Sequence, residues 1–381
     1  MSAPMDADVL VIGAGIAGAS LGYFLAPHAR VLLVEREPHP GMHATGRSAA
    51  LFSETYGSAQ VRALTRASRG FLERSPAGFA AQALLRPRGA LVFGDAAQVE
   101  RVREAYETMR PHTPGLELWD GTQLRDAVPV LRPQAAQLGF YEAGAADIDV
   151  DALHQGFLRG LRAHGGGVLL DAEVAGIARA RGGWELTLAG DRVLRAPLLV
   201  DAAGAWADRV AALAGVAPLG IEPRRRSAFL FEPPSGVDTA RWPFVCEVDE
   251  RFYFKPDAGL LLGSPANADP MPPHDVQPEM LDIALAIDRI EQATTMTIRR
   301  PLRSWAGLRS FVADGDLVGG FAPDAAHFFW LAAQGGYGIQ TCAAMGEACA
   351  QLVLGRALPA HLQDHGLTAS MLAPRAVATA A

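Results

Sequence analysis

The chain has 381 residues, half of them apolar and 20% charged, which is long enough for two domains and has the balance of a globular protein. A net charge of −7 argues against nucleic acid as the main partner, because proteins that bind a phosphate backbone are usually basic. The 40 glycines follow no repeat, which excludes a collagen-like chain and indicates close backbone approaches to a bound ligand.

Cysteine spacing and hydropathy place further limits on the class of protein. Cys246, Cys342 and Cys349 show neither a disulfide pattern nor a zinc spacing, so we predict no metal site. In the absence of a secretory signature we expect a cytoplasmic protein. The uncharged run over residues 9–25 is interrupted by glycines and is shorter than the roughly 20 apolar residues that span a bilayer. We therefore predict no transmembrane segment.

The first predicted elements are a strand, a glycine-rich turn, a helix and a second strand. Residues 9–12 form an apolar run, Gly13, Gly15 and Gly18 follow with the spacing GxGxxG, and Glu35 ends the next apolar run. In this pattern the glycines bring backbone close to a pyrophosphate, while the acid accepts hydrogen bonds from ribose hydroxyls. The sequence therefore predicts a dinucleotide site, for NAD or FAD rather than NADP.

Two further segments favour a flavin over a nicotinamide. Residues 43–50 combine small side chains with one arginine, which lets a flat ring lie against the backbone. Residues 334–341 place glycines between a predicted strand and a predicted helix, where N–H groups and the helix dipole suit the anionic edge of a reduced flavin. A nicotinamide dehydrogenase has no need for either segment.

With these motifs the chain resembles the D-amino-acid oxidase superfamily of FAD-dependent flavoproteins, which oxidise amino acids and amines. The matching segments are residues 9–36, 41–50, 200–206, 253–263, 305–316 and 330–346. Within this superfamily the chain is most similar to bacterial FAD-dependent D-arginine dehydrogenases, over residues 227–229, 255–259, 263–270, 306–317 and 333–341.

The resemblance implies an α/β fold in which a Rossmann-like FAD-binding domain is interleaved with a substrate domain built on a mostly antiparallel β-sheet. A predicted helix over residues 151–164 and alternating segments between residues 219 and 264 agree with it. The expected FAD-binding domain comprises residues 1–50, 140–218 and 305–365. The expected substrate domain comprises residues 51–139 and 219–304, and residues 366–381 form a C-terminal tail.

The resemblance also implies which residues contact FAD, held without a covalent bond because the sequence around Cys342 lacks an attachment motif. They belong to the first turn and its acid, to the two small-residue segments, and to later strand ends. The expected FAD contacts are Gly13, Gly15, Ala17, Gly18, Glu35, Arg36, Ala44, Thr45, Gly46, Arg47, Ser48, Ala49, Ala50, Val174, Ala203, Gly204, Gly335, Gly336, Tyr337, Gly338, Ile339 and Gln340.

Arginines are the candidates for a substrate carboxylate anchor, because a guanidinium binds a carboxylate through two hydrogen bonds. Strand alternation puts Arg225 on one face and Arg224 with Arg226 on the other, without deciding which face is inward. The resemblance selects Arg226. Arg309, before a predicted turn, is the stronger candidate, and its alternative role is a structural ion pair with a nearby aspartate.

Two tyrosines are the candidates for hydroxyl groups beside that carboxylate. Tyr253 alternates with two phenylalanines, and the resemblance places it at the substrate. Tyr56, on a loop that is a candidate lid, would supply the second hydroxyl. For each, the alternative is a core tyrosine bonded to backbone. Gly336 and Gln340 complete the substrate site that the resemblance implies.

Two positions depart from the D-arginine dehydrogenase pattern. Leu51 stands where that pattern has a histidine, and Ala90 stands where it has an acid that pairs with the basic substrate. A guanidinium buried beside Ala90 would have no partner, which is costly. We therefore expect apolar or bulky D-amino acids rather than D-arginine.

The implied reaction is oxidative deamination, in which hydride passes from the α-carbon to flavin N5 and the imino acid hydrolyses to a 2-oxo acid and ammonia. The alternative is an amine oxidase that acts on glycine, sarcosine or cyclic and secondary amines with O₂. Sarcosine-oxidase-type members carry an O₂-activating lysine where this chain has Leu261, and the single lysine, Lys255, does not align with it. A quinone or another electron acceptor is therefore favoured over O₂.

Overall fold

The structure is a computed structural model that describes residues 6–375. Residues 1–5 of the predicted FAD-binding domain and 376–381 of the predicted tail lie outside the described residues. The strands, in chain order, are β1 (Val9–Ile12), β2 (Val31–Val34), β3 (Leu51–Phe52), β4 (Leu85–Pro87), β5 (Ala90–Gly94), β6 (Leu116–Asp120), β7 (Leu138–Glu142), β8 (Ala146–Ile148), β9 (Gly167–Leu169), β10 (Val174–Ala180), β11 (Gly183–Leu188), β12 (Val193–Ala196), β13 (Leu198–Asp201), β14 (Glu222–Phe231), β15 (Phe244–Glu247), β16 (Tyr253–Asp257), β17 (Leu260–Ser264), β18 (Asp269–Pro270), β19 (Arg303–Phe311), β20 (Val318–Phe321) and β21 (Phe328–Ala332).

The helices surround two large sheets, so the protein has an α/β fold with mixed sheets. The α-helices, in chain order, are α1 (Ile16–Leu25), α2 (Ala59–Glu73), α3 (Val99–Met109), α4 (Gly121–Ala127), α5 (Val150–Ala163), α6 (Ala207–Ala214), α7 (Met280–Ala293), α8 (Gly338–Val353), α9 (Ala360–Gln363) and α10 (Ala369–Leu372). Within residues 6–375, no helix is long and apolar enough to cross a membrane.

The six-stranded sheet has the order β20-β21-β13-β1-β2-β9, and its strands are parallel except for β20. Helices α1, α2, α5 and α8 cover one face, while α6 and the three-stranded sheet β10-β11-β12 cover the other. Burial on both faces explains why β1 is a continuous apolar run instead of an alternating one. The strands predicted over residues 9–12 and 328–331 are confirmed.

The nine-stranded sheet has the order β18-β14-β17-β16-β15-β5-β7-β6, with β19 paired to β14. Its pairs are antiparallel except β15 with β5. Phe229, Phe254 and neighbouring phenylalanines pack against α7 on one face, whereas Ala228, Tyr253 and Leu262 lie on the other. The alternation predicted around Tyr253 is therefore confirmed, and it leaves one face of the sheet free to border a site.

Two predicted domain limits fall inside strands. Residue 140 lies within β7 and residue 305 lies within β19, and both strands belong to the nine-stranded sheet. Helix α2, from the expected substrate segment, packs in the same core as α1 and α8. Strand pairing joins distant segments without a change in local composition, so composition could not locate these limits. The interleaved two-domain division remains a prediction.

The two large sheets meet where β19 passes the loop between β21 and α8. The backbone N–H of Gly335 donates to the Ser310 carbonyl at 2.8 Å, which forms an isolated antiparallel bridge. Because β1, β2, β13 and β21 are parallel, their carboxyl ends share one edge. The junction therefore brings this edge against the free face of the nine-stranded sheet.

Asp201, the last residue of β13, is fully buried between its neighbours. Its Oδ1 accepts a hydrogen bond from Ala203 N at 3.0 Å, and Oδ2 has no partner among residues 6–375. Burial raises the pKa of the Asp201 carboxyl well above its usual value of 3.8. Protonation of Asp201 is therefore easier in the folded protein than in the unfolded chain.

We expect Asp201→Asn to raise the free energy of unfolding at pH 7, because the neutral amide carries no charge that burial penalises. Because the folded pKa is raised, the native protein loses stability as pH rises from 3.8 through that pKa, and asparagine has no such loss. Urea unfolding at pH 7 and near pH 4 measures this, and the gain should shrink at the lower pH. Equal unfolding free energies at pH 7 would contradict the expectation.

Candidate active site

The turn between β1 and α1 packs too closely for side chains at its glycines. Gly13 has a φ of +104°, and a Cβ there would lie 2.5 Å from the Ala202 carbonyl oxygen. A Cβ on Gly18 would lie 2.0 Å from the Gly13 oxygen, so glycine alone lets α1 pack against the turn. This packing leaves Gly15 and the start of α1 at the edge of a cavity.

Glu35 follows β2 on the same side of this cavity. Its Oε2 accepts from Ala14 N at 2.9 Å, and its Oε1 accepts from Glu37 N at 3.1 Å. The Arg36 guanidinium lies over the Trp206 ring, 3.9 Å from its centroid, and both side chains line the cavity. Two backbone donors thus orient a carboxylate where a ribose hydroxyl would bind in a dinucleotide fold.

Two adjoining cavities run from this turn to the junction of the sheets. The first has a volume of about 320 Å³ and lies at the carboxyl ends of β1, β2 and β13. The second has a volume of about 90 Å³ and borders the free face of the nine-stranded sheet. They adjoin each other, with these lining residues in common: Ile16, Ala44, Thr45, Arg47, Leu308, Gln334 and Gly335.

Most residues predicted to contact a cofactor line one cavity or both. They are Gly13, Gly15, Ala17, Glu35, Arg36, Ala44, Thr45, Arg47, Ser48, Ala49, Val174, Ala203, Gly204, Gly335, Gly336, Gly338 and Ile339. The three distant segments that the sequence singled out, at residues 13–18, 43–50 and 334–341, are thus brought to one place.

The remaining predicted cofactor residues line neither cavity: Gly18, Gly46, Ala50, Tyr337 and Gln340. Gly18 packs against the first turn, and Gly46 donates its N–H to the Gly41 carbonyl at 2.8 Å. The buried Gln340 amide accepts from Ser53 N at 3.2 Å and donates to Thr65 at 2.9 Å. These residues shape the surrounding backbone instead of bordering the cavities.

Some lining residues were missed in the sequence. Ile12, Val34 and Ala202 lie at the carboxyl ends of parallel strands, where ligands bind in such sheets, so this rule could have found them. His274 and Val276 come from a proline-rich loop without a local signal. Arg47 holds this loop by donating to the Val276 carbonyl at 3.2 Å, a contact that only tertiary structure creates.

Arg309 lies where the second cavity meets the start of α8. Its Nη1 donates to the Tyr56 hydroxyl at 3.2 Å. The guanidinium packs against Gly336, where a Cβ would lie 2.6 Å from Nη1. No Asp or Glu oxygen among the described residues lies within 4.0 Å of the guanidinium, so the structural ion pair considered as its alternative does not form there.

The three adjacent arginines of β14 separate as strand alternation requires. Arg226 lines the second cavity and donates through Nε to the Asn267 carbonyl at 2.6 Å. Arg225 points to the opposite face, where it is 5% exposed and pairs with acidic side chains. Those partners are Asp269, Glu279 and Asp282. Of the two faces that alternation left open, the one that carries Arg226 borders the second cavity.

The two candidate tyrosines approach Arg309 from different elements. Tyr253, on β16, is 5% exposed, lines the second cavity and packs against Phe244 with ring centroids 5.1 Å apart. Tyr56 is not a lining residue, but its hydroxyl bonds to Arg309 and its ring meets Tyr337 edge to face at 5.0 Å. Burial, with a smaller contribution from Tyr56, raises the pKa of Tyr337 to about 12. The Tyr337 phenol therefore stays protonated at neutral pH.

Leu51 and Ala90 line neither cavity. Leu51 pairs with Asp147 in β8, and Ala90 lies between Phe244 and Glu142 in the nine-stranded sheet. Their predicted contact with the substrate side chain therefore stays a prediction.

Three other positions bear on the electron acceptor and on covalent attachment of the cofactor. Lys255 donates to Asp147 at 2.7 Å, and Leu261 packs on the α7 face of its sheet. Cys342 is 1% exposed, and burial raises the pKa of its thiol. None of the three residues lines a cavity.

Comparisons with known proteins agree with this architecture. The family model described as DAO, FAD dependent oxidoreductase, matches residues 8–352. Among characterised relatives, L-2-hydroxyglutarate dehydrogenase from Escherichia coli is 24% identical over 228 residues, which are 55% of this chain and 50% of that protein. The chain thus spans about half the length of that relative.

Solved structures with the same fold cover nearly the whole chain. Glycine oxidase from Geobacillus kaustophilus superposes with a TM-score of 0.78 at 21% identity, covering 92% of this chain and 95% of that one. Iminodiacetate oxidase from Chelativorans sp. BNC1 gives a TM-score of 0.79 at 21% identity, covering 97% and 100%. Identities this low show a shared fold.

We expect Gly18→Ala to lose the bound cofactor and to lower the melting temperature, because its Cβ would collide with the Gly13 oxygen. Absorbance of the purified protein at flavin wavelengths and a thermal melt measure the two effects. Gly70→Ala is the matched control, since a Cβ in that helix meets only the Arg74 guanidinium at 3.7 Å. Alanine is favoured over glycine in a helix by about 1 kcal/mol, so this control should be at least as stable. A fully loaded Gly18→Ala protein would contradict the role of the turn.

Proposed function

Because the chain belongs to the DAO family of FAD-dependent oxidoreductases, we propose that it catalyses FAD-dependent oxidative deamination of D-amino acids with apolar or bulky side chains. The observation that carries the proposal is Arg309, a cation beside the second cavity with no acidic partner within 4.0 Å in the described part of the chain. A substrate carboxylate would supply that partner.

FAD fits the first cavity and its extension into the second. The turn at Gly13 leaves no room for a Cβ, Glu35 is held by two backbone donors, and small residues line the passage between the cavities. Gly13, Gly15 and Glu35 would hold the nucleotide half, and residues 44–49 with 335–339 would hold the ring. When bound there, FAD supplies the acceptor for the two electrons that leave the substrate.

Four side chains form the proposed carboxylate site. Arg309 and Arg226 lie on neighbouring strands of one sheet face and provide the charge, while Tyr253 and Tyr56 add hydroxyl donors. A guanidinium bound through two hydrogen bonds fixes the orientation of the carboxylate and with it the α-carbon. Positioning of the C–H bond is then the main contribution of these residues to the rate.

The proposed preference for an apolar side chain is supported by the walls of the second cavity. Ile16, Ala228, Leu308 and Ile339 line it, and no Asp, Glu or Lys side chain does so among the described residues. The D configuration is supported by the sequence resemblance to D-arginine dehydrogenases, and Leu51 and Ala90 disfavour D-arginine itself. This finer specificity is a proposal.

A second candidate is a flavin amine oxidase that acts on glycine, sarcosine or a secondary amine. The observation in its favour is the fold shared with glycine oxidase and iminodiacetate oxidase, each of which superposes over nearly the whole chain. We propose a quinone or another acceptor over O₂, since Lys255 is engaged by Asp147 and lines neither cavity.

An anaerobic screen of amino acids and amines, read by bleaching of the flavin absorbance, tests the proposal. We expect apolar D-amino acids to reduce the flavin faster than their L enantiomers, D-arginine or glycine. Repeating the reactive compounds with O₂ or a quinone identifies the acceptor. Reduction by 2-hydroxy acids alone would overturn the proposal, and reduction by glycine or sarcosine alone would establish the second candidate.

We expect Arg309→Met to lower kcat/KM for the reactive amino acid by about 100-fold, because two charge-assisted hydrogen bonds are lost. Arg309→Lys should keep part of the activity, since an ammonium supplies charge without the planar pair of donors. Steady-state kinetics on the FAD-loaded variants measure both. Arg303→Met, an exposed arginine on the same strand, is the matched control and should leave kcat/KM unchanged. Wild-type kinetics in Arg309→Met would refute the anchor.

We expect kcat/KM to rise about tenfold per pH unit until the substrate amine is deprotonated, and then to level off. The described residues that line the second cavity include three arginines but neither a carboxylate nor a histidine, so they lack an ordinary base and disfavour an ammonium group. Kinetics across neutral and alkaline pH with an amino acid measure this. A flat profile would contradict entry as the free amine and would suit a 2-hydroxy acid, which has no amine to ionise.

A further inference from the structure

Glu142, the last residue of β7, is a buried carboxylate outside the carboxylate site described above. It is 2% exposed and lines neither cavity. Its Oε1 accepts from the backbone N–H of Glu54 at 2.7 Å. Its Oε2 accepts from the Ser53 hydroxyl at 2.7 Å and from the Thr55 hydroxyl at 2.8 Å. Three consecutive residues of one loop therefore donate to a single side chain.

No cation pairs with Glu142 within the part of the chain that the structure describes, since its recorded partners all belong to this loop. Burial raises the pKa of the Glu142 carboxyl even though the three donors act to lower it. An apolar residue in its place would leave three donors of the loop without an acceptor, so the Glu142 carboxyl restrains the loop.

That loop carries Tyr56, whose hydroxyl bonds to Arg309 at 3.2 Å. Both ends of the loop have separate anchors. Ser53 N donates to the Gln340 amide oxygen at 3.2 Å, and the Ser58 hydroxyl caps α2 by accepting from Val61 N at 3.2 Å. Between these ends, the Glu54 amide and the Thr55 hydroxyl bond to Glu142, while the Glu54 carboxylate pairs with Arg69 at 2.6 Å. Glu142 is thus the one side chain in the described part of the chain that binds both residues directly preceding Tyr56.

We propose that Glu142 is a positioning residue, which holds residues 53–55 so that the Tyr56 hydroxyl stays beside the Arg309 guanidinium. Through Tyr56 it sets the affinity for the substrate carboxylate without touching the substrate. The loop is then held in place instead of acting as the lid that its sequence suggested. The effect on affinity rests on the proposed function, whereas the restraint on the loop does not.

Glu142→Leu removes the acceptors at similar side-chain volume, and Glu142→Gln is the conservative variant. A glutamine oxygen still accepts from Glu54 N, and its amide donates to the two hydroxyls. Glu247→Leu is the matched control, because Glu247 is 3% exposed in the same sheet but bonds to Gln98, Asp249 and Arg251. None of these partners belongs to the loop or lines a cavity.

Kinetics of the FAD-loaded variants with the reactive amino acid test the effect on affinity. We expect Glu142→Leu to raise KM about tenfold and to change kcat by less than about threefold, as befits the loss of one hydrogen bond to a charged group. Glu142→Gln and Glu247→Leu should stay within about twofold of the wild-type KM. In a Tyr56→Phe background, Glu142→Leu should change KM by less than about twofold, since the hydroxyl it positions is gone. An undiminished effect in that background would overturn the proposal.

Hydrogen exchange tests the restraint without any substrate. We expect amides of residues 54–57 to exchange at least about tenfold faster in Glu142→Leu, and near the wild-type rate in Glu142→Gln and Glu247→Leu. Unchanged exchange in Glu142→Leu would overturn the positioning role, whatever substrate the protein oxidises. A failure of every amino acid to reduce the flavin would refute the proposed function but not the positioning role. Faster exchange with an unchanged KM would also overturn the proposal. If Glu142→Leu does not fold, Thr55→Val serves as the second variant. It removes one donor to Glu142 and should raise both KM and the exchange rate.

Discussion

The turn from β1 into α1 has no room for a side chain at Gly13 or Gly18. A Cβ at Gly18 would lie 2.0 Å from the Gly13 oxygen, and a Cβ at Gly13 would lie 2.5 Å from the Ala202 oxygen. This packing ties α1 to β1 and to the end of β13 at once. The start of α1 and the carboxyl ends of three parallel strands therefore meet at one edge, and the first cavity lies there. The other parts of the site are arranged around this edge.

The second constraint is the junction between the two sheets. Gly335 bonds to Ser310, so the loop before α8 and strand β19 approach within one hydrogen bond of each other. Arg309 then lies against Gly336 with Tyr56 on its other side. A guanidinium held between a glycine and a phenol, with no acidic neighbour within 4.0 Å in the described chain, is available to an anion from solution. The adjoining cavities and Arg309, the proposed substrate anchor, therefore both depend on this contact between the sheets.

Features that depend on a short stretch of chain were predictable. The turn at Gly13 to Gly18 and the acid at Glu35 were recognisable because glycine spacing, strand burial and the position of an acid are all encoded within one β-α-β unit. Tyr253 could be assigned a face because side chains alternate along a strand. The family followed from several such segments and is shown by the match over residues 8–352.

Other features depend on partners far away in the sequence. Arg225 and Arg226 are adjacent in the sequence, and local pattern does not distinguish them. Only the tertiary structure shows that Arg225 is the one paired with acids, Glu279 and Asp282, on the face away from the cavity. The domain limits at residues 140 and 305 fell inside strands because pairing between distant segments leaves no mark in local composition. Glu142 gave no sequence signal, since three donors from residues 53–55 reach it across 87 to 89 positions. The sequence by itself thus determined the cofactor motif and the family, which rest on local spacing. Tertiary structure alone decided which charges stay unpaired at the site, because pairing is a matter of distance in space.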